Sequence, residues 1–220
     1  MAVLLTSAFC APVEYYAAIA AEVTLSPDRV IPSVVWLEAC ENYQKQSWRN
    51  RCTICAAGGR ENISFPIVHR EGSHNNIPIT EVEIDYKTDW VTRAERAITS
   101  AYSTSAFFEY YKDELFAILD SHPATLFELN LRLMEYFLAM LGIPAEIRFT
   151  QQYGAVPEDA RDLRETIHPK RENTILEDLG IRKPYYQVFS GKYGFQYGVS
   201  VMDLLFNEGP DALSHLKSRF

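Results

Sequence analysis

The chain has 220 residues, 47% hydrophobic and 23% charged, the ordinary composition of a globular chain long enough to bury a core. Its formal net charge is −8 and no run of lysines and arginines occurs, so a surface that tracks nucleic-acid backbone is not expected. The N-terminal stretch is apolar but lacks a basic leader, and no apolar run reaches membrane-spanning length, so the expectation is a cytoplasmic chain without a membrane span.

Val3-Leu4-Leu5 reads as a short buried strand. Pro12 sits where a first helical residue belongs, and Val13, Tyr16, Ala20 and Val23 follow at helical spacing. Ser33-Val-Val-Trp-Leu37 is a second buried strand. The opening is therefore β-α-β, which favours a parallel pair. A polar, aromatic stretch at 41–52 comes next, its second half extended, and Gly58-Gly59 turns the chain towards a strand at 63–68. Pro66 makes that strand an edge or a bulge. Residues 70–76 read as a loop, and 79–85 alternate imperfectly like another strand.

Helices dominate the middle. Trp90, Ala94, Ile98 and Ala101 share one face behind Thr88, and Phe108, Tyr111, Leu115 and Ile118 share another behind Ser105. Thr125-Leu-Phe-Glu128 is a capping-box pattern for a helix that Gly142 and Pro144 stop. A strand at 146–150 follows, then a charged segment at 157–184 that reads as a helix or long surface loop. The chain ends with an extended piece at 185–189, a loop at 191–198, a short apolar helix at 201–206 and a last helix beyond Gly209-Pro210. These elements predict an α/β fold, a single domain over 1–220 with a mainly parallel or mixed sheet flanked by helices.

The stretch 41–52 concentrates the candidate chemistry. Placed on a strand, Arg49 and Arg51 share one face, with Trp48, Asn50 and Cys52 on the other. Two guanidiniums on one face call for an anion between them, and arginine suits planar phosphate or carboxylate. A small molecule bearing phosphate, such as a nucleotide sugar or an acyl thioester, fits that description. Ion pairing to Glu38, Glu41 or Asp85 is the competing reading. Tyr43 and Trp48, with Tyr15 and Tyr16 from the first helix, form either an aromatic wall for a sugar or half-buried core. Cys52-Thr-Ile-Cys55 lacks a second ligand pair for zinc, and four cysteines make no disulfide framework, so neither a metal nor a named cofactor is predicted. His69, at the end of an apolar strand near the arginines, is the candidate acid or base, and with Cys52 it would make a thiol pair. His74, His122, His168 and His215 are assigned no role.

Three segments carry a resemblance: Pro12-Val-Glu-Tyr-Tyr-Ala-Ala-Ile-Ala20, Glu41 to Arg51, and Phe195 through the Asp203-Leu-Leu-Phe-Asn207 run. Together they resemble the WbqC-like family. Members often carry a His-Gln pair at the end of the first strand, where Thr6, Ser7 and Ala8 stand here. The family is similar to proteins encoded among bacterial surface-polysaccharide (O-antigen) genes. The resemblance implies an enzyme acting on an activated, nucleotide-linked sugar, with acyl or aminoacyl transfer to an amino sugar as one chemistry. Arg49 and Arg51 would hold phosphate, Asn50, Tyr43 and Tyr15 the sugar, and Asp203 and Asn207 would close the pocket. A non-catalytic binding or assembly protein of the same pathway, and a cysteine-dependent transferase or hydrolase, are the alternatives.

Overall fold

The first three major elements form the β-α-β unit that the sequence predicts. The computed structural model describes residues 2–26, 28–68 and 76–217. In it β1 (Ala2–Thr6) leads through Pro12 into α1 (Val13–Ala21). A small antiparallel ribbon of β2 (Thr24–Ser26) and β3 (Arg29–Ile31) intervenes before β4 (Ser33–Glu38) lies parallel to β1. Every residue of β1 is buried, as a strand covered on both faces requires. Val13 through Ala20 are all buried too, so α1 is an interior helix rather than an amphipathic surface one.

The expected hairpin forms from β5 (Arg51–Ala56) and β6 (Gly59–Ser64), joined by Ala57-Gly58. Its second strand starts four residues earlier than the sequence suggests and stops before Pro66, which has no N–H to donate to a ladder. Two expectations change here. Trp48–Asn50 is a 3-10 turn rather than strand, so Arg49 and Arg51 do not share a strand face. The alternating stretch at 79–85 is a 3-10 turn, Ile79–Glu81, followed by isolated bridges. Its apolar side chains are buried, but its backbone serves the head of a later helix, Leu126–Met140: Leu126 N donates to Val82 O at 2.8 Å.

The three central helices are α2 (Trp90–Tyr102), α3 (Phe108–Asp120) and α4 (Leu126–Met140). The cap of α4 is the predicted one, with Thr125 Oγ1 accepting from Glu128 N at 3.2 Å. Asp89, not Thr88, occupies the cap position of α2. Then β7 (Ala145–Phe149) pairs with β4, and β8 (Ala160–Asp162) with β1. The sheet has the order β7-β4-β1-β8 with every pairing parallel, an α/β arrangement. The segment 157–184 is thus largely loop, as one of its two readings had it, but it also contributes the three-residue strand β8.

The rest is α5 (Ile175–Asp178), α6 (Ser190–Tyr193, inside the expected extended and loop region), α7 (Val201–Glu208) and α8 (Ala212–Leu216). α1 touches β1, β4, α5, α7 and α8, while α2 covers the hairpin. One hydrophobic cluster runs from Val3 to Leu216. Among the described residues no helix is long and apolar enough to cross a membrane.

Gly209 closes α7 with φ +52, and a Cβ there would lie 2.5 Å from the Phe107 ring. Phe107 is fixed in turn, its N–H donating to Phe206 O at 2.9 Å. Gly209→Ala should therefore cost roughly 2–4 kcal/mol of stability in urea titration, from overpacking and left-handed strain together.

Candidate functional site

An all-parallel sheet opens its crevice at the carboxyl ends of the strands, where the chain switches direction. Here β1 connects to β4 on one side, while β8 joins β1 on the other. The segments that follow β1 and β8, together with the hairpin, wall a cleft of about 810 Å³. Pro12 and Glu14 come from the start of α1. Trp48, Arg51 and Thr53 lead into and along β5, Arg60 and Asn62 belong to β6, and residues 167–174 follow β8. Glu177, Arg182, Tyr197 and Gly198 complete the wall.

The lining carries Arg51, Arg60, Lys170, Arg171 and Arg182 against Glu14, Glu172 and Glu177. A chain of net charge −8 thus presents a cationic excess in this cleft. Not all of these cations are equally available. Arg182 pairs with Glu177 and stacks on Tyr197, its guanidinium carbon 4.4 Å from the ring centre. Arg171 pairs with Glu165 at 2.9 Å. Arg60 donates to the carbonyls of Tyr197 and Gly198. Arg51 differs: its Nε is enclosed and has no hydrogen-bond partner among the described residues.

The wall after β8 is anchored by charge. Arg164 grips Asp162 through Nε (3.0 Å) and Nη2 (2.7 Å), and its Nη1 donates to Glu38, a fully buried carboxylate at the end of β4. Glu38 also accepts from Thr150 Oγ1 at 2.6 Å and Cys40 N at 2.8 Å, so it joins the carboxyl ends of three strands. Beyond this clasp His168 lines the cleft. Burial and the nearby Arg171 hold its pKa below the ordinary imidazole range, with Arg49 and Lys170 adding and Glu165 opposing. Its Nδ1 accepts from Lys170 N at 3.2 Å, so the neutral ring carries its proton on Nε2.

Glu14 is 7% exposed, on the first turn of α1. The backbone amides of Glu14 and Gly198 favour the charged form of its carboxylate, yet Oε2 has no hydrogen-bond partner among the described residues. Burial raises its pKa against those amides and the pull of Arg60.

Of the arginines singled out in the sequence, only Arg51 reaches this cleft. Arg49 is 3% exposed and turned inward, where Nε donates to Glu41 Oε1 at 2.8 Å and Nη2 to Oε2, with Gln44 Oε1 at 3.4 Å from Nη1. Burial pushes the Glu41 pKa up and Arg49 pulls it back. Asn50 Nδ2 donates to Phe65 O at 2.8 Å, joining the turn to the end of the hairpin. Tyr15 is core, its hydroxyl donating to Thr6 O at 2.9 Å. Tyr43 lines a second recess of about 580 Å³ shared with Cys40, Lys45 and Tyr153. His69 lies outside the described residues, as does His74.

A match to the WbqC-like protein family covers residues 32–174, more than half of the chain. The chain belongs to the WbqC-like protein family. It is also 27% identical over 199 residues to uncharacterized protein Rv1507c of Mycobacterium tuberculosis, covering 80% of this chain and 84% of that one. No solved structure matches it.

The family match takes in Arg51, the hairpin and the cleft wall after β8; Glu14 and α7 fall outside it. On α7 the expected pocket-closing residues of this WbqC-like chain are interior. Asn207 Nδ2 donates to Asp203 O at 2.7 Å. Asp203 is 1% exposed; burial pushes its pKa up to about 6, while Tyr185, Gln187 and Tyr102 pull it back. Cys52 is 1% exposed beside Cys10, whose thiol burial raises first and Cys52 further. Cys55 is raised by burial too. Among the described residues no group of three or more His, Cys, Asp or Glu is arranged to hold a metal ion.

Sequence reasoning passed over Glu14, Arg60 and His168. For Glu14 a signal existed, since it is the one acid within a helix whose other residues are apolar or aromatic. For Arg60 and His168 only the three-dimensional course of the chain shows which way they face.

Two outcomes follow. Arg49→Ala, which strands Glu41 in the interior, should cost on the order of 3–5 kcal/mol in urea unfolding, and Arg49→Met with Glu41→Leu should recover most of it. For Asp203 the folded pKa lies above the ordinary 3.8. Its contribution is therefore complete below about pH 4 and is lost as pH rises through about 6. Relative to wild type, Asp203→Asn should gain on the order of 3 kcal/mol between pH 4 and pH 7.5, read by paired unfolding curves.

Proposed function

We propose that this WbqC-like chain binds a phosphate-bearing activated sugar in the large cleft, with Arg51 as the principal phosphate contact. The observation that carries the reading is the Arg51 guanidinium, held at the cleft wall with an Nε that has no partner among the described residues, amid a cationic excess. An enclosed guanidinium N–H without an acceptor is costly, and a phosphate oxygen supplies the acceptor. Trp48 and Tyr197 on the same lining offer aromatic faces to a sugar or a base, and Thr53 and Asn62 offer polar groups beside Arg51. His168 adds a neutral Nε2–H donor. Arg49 acts one step back, by fixing the turn from which Arg51 emerges.

The finer reading is a cytoplasmic enzyme of bacterial surface-polysaccharide assembly, transferring an acyl or aminoacyl group to a nucleotide-linked amino sugar. It rests on the family resemblance. A second reading, a binding protein of the same pathway without catalysis, is favoured by one observation: neutral His168 has no free acceptor nitrogen, its Nδ1 being engaged. The cysteine-dependent reading draws no support from Cys52, which is buried and absent from the cleft lining.

Calorimetric titration with UDP-linked sugars tests the proposal. Arg51→Ala should weaken binding by roughly tenfold to a hundredfold, as loss of a charge-assisted hydrogen bond predicts, while Tm moves by only about 2 °C. Affinity should also fall as salt rises. Unchanged affinity in Arg51→Ala would remove Arg51 from the role. Product formation from a sugar nucleotide and an acyl donor separates the enzyme from the binding protein.

A further inference from the structure

We propose that Glu14 forms an amine site in the same cleft as Arg51, so that the preferred ligand is a phosphate ester carrying a protonated amino group. The inference deepens the phosphate reading above and rests on it. Glu14 lines the cleft although its side chain is more than nine-tenths buried, and its Oε2 lacks any partner among the described residues. Leaving a buried carboxylate oxygen without a donor is unfavourable, and at the wall of a cleft the missing donor can come from a ligand.

The nearest cation does not fill the role. Arg60 and Glu14 converge on Gly198, where a Cβ would stand 3.6 Å from Arg60 Nη2 and 3.9 Å from Glu14 Oε1. Yet Arg60 directs Nη1 and Nη2 at the carbonyls of Tyr197 and Gly198 instead of at the carboxylate. Gly198 has φ +67, and its backbone amide favours the charged form of Glu14. A second carboxylate, Glu177, lies near enough to oppose the ionisation of Glu14. Glu177 is already paired with Arg182, so the carboxylate left for a ligand cation is that of Glu14. The cleft is then anion-selective at Arg51 and cation-selective at Glu14, and a zwitterion satisfies both ends.

Titration calorimetry with O-phosphoethanolamine, ethyl phosphate and inorganic phosphate tests this on the full chain. Wild type should bind phosphoethanolamine at least tenfold more tightly than ethyl phosphate. In Glu14→Gln that ratio should fall towards one, with affinity for inorganic phosphate and Tm both retained. Should Glu14→Gln fail to fold, the wild-type ratio and its loss in Glu14→Asp decide the matter. Equal binding of the two esters by wild type, or an unchanged ratio in the variant, overturns the amine site and leaves the phosphate reading standing. Binding of no phosphate compound overturns both.

Discussion

Neither Glu41 nor Arg49 could be buried alone. Paired, they sit almost fully enclosed and hold the irregular stretch between β4 and β5 in one shape. The backbone of that stretch has little sheet to bond with, so its polar groups find partners elsewhere. Phe9 N donates to Trp48 O at 2.8 Å, Asn130 Nδ2 to Arg49 O at 2.9 Å, and Ser47 Oγ accepts from Arg49 N. Each bond ties the turn to a different element: the loop after β1, helix α4, or the turn itself. A buried ion pair adds little net stability over apolar packing, but it penalises every arrangement that separates the charges. The consequence is positional. With Arg49 facing inward, β5 starts at Arg51, and that guanidinium is delivered to the cleft.

The same pair accounts for the difference between the alternation in the sequence and the structure at Trp48–Asn50. Alternation assigns faces only where the chain is extended, and Trp48–Asn50 is a 3-10 turn, so two arginines two residues apart point to different places. The competing reading, ion pairing to Glu41, describes Arg49 correctly. Elements with a strong local signature were legible: the buried strands β1 and β4, the α4 cap at Thr125, and the hairpin around Gly58-Gly59. β8 was not, because three residues, Ala-Arg-Asp, carry no periodicity, and its pairing to β1 is a long-range choice. The candidate site was less legible than the fold. Its rim comes from the charged segment after β8, where composition shows cations and anions without saying which of them face one cavity.

Net charge is a poor guide to such a cleft. Exposed charges more than about 8 Å apart are largely screened at physiological ionic strength, so the distant acidic surface weighs little against arginines inside the cleft. Low-dielectric walls act the other way and strengthen whatever charge they enclose. An acidic chain can therefore hold an anion locally.

The walls of the cleft are held by charge as well as by apolar contacts such as those of Leu163, Ile167 and Ile175. Arg164 fixes the segment after β8 to Glu38, Arg60 fixes the Tyr197-Gly198 corner to β6, and Glu41 with Arg49 fixes the approach to β5. Each clasp joins a loop to a strand end at the carboxyl edge of the sheet or to the hairpin, so the width of the cleft is set by rigid elements although its lining is mostly loop. Directional contacts of this kind position side chains more closely than hydrophobic packing, which is non-directional. Arg51 and Glu14 start from two such fixed points, the first residue of β5 and the first turn of α1, and their Nε and Oε2, both without a partner among the described residues, are complementary in sign. A ligand with both charges would complete the hydrogen bonding that folding leaves unfinished at each.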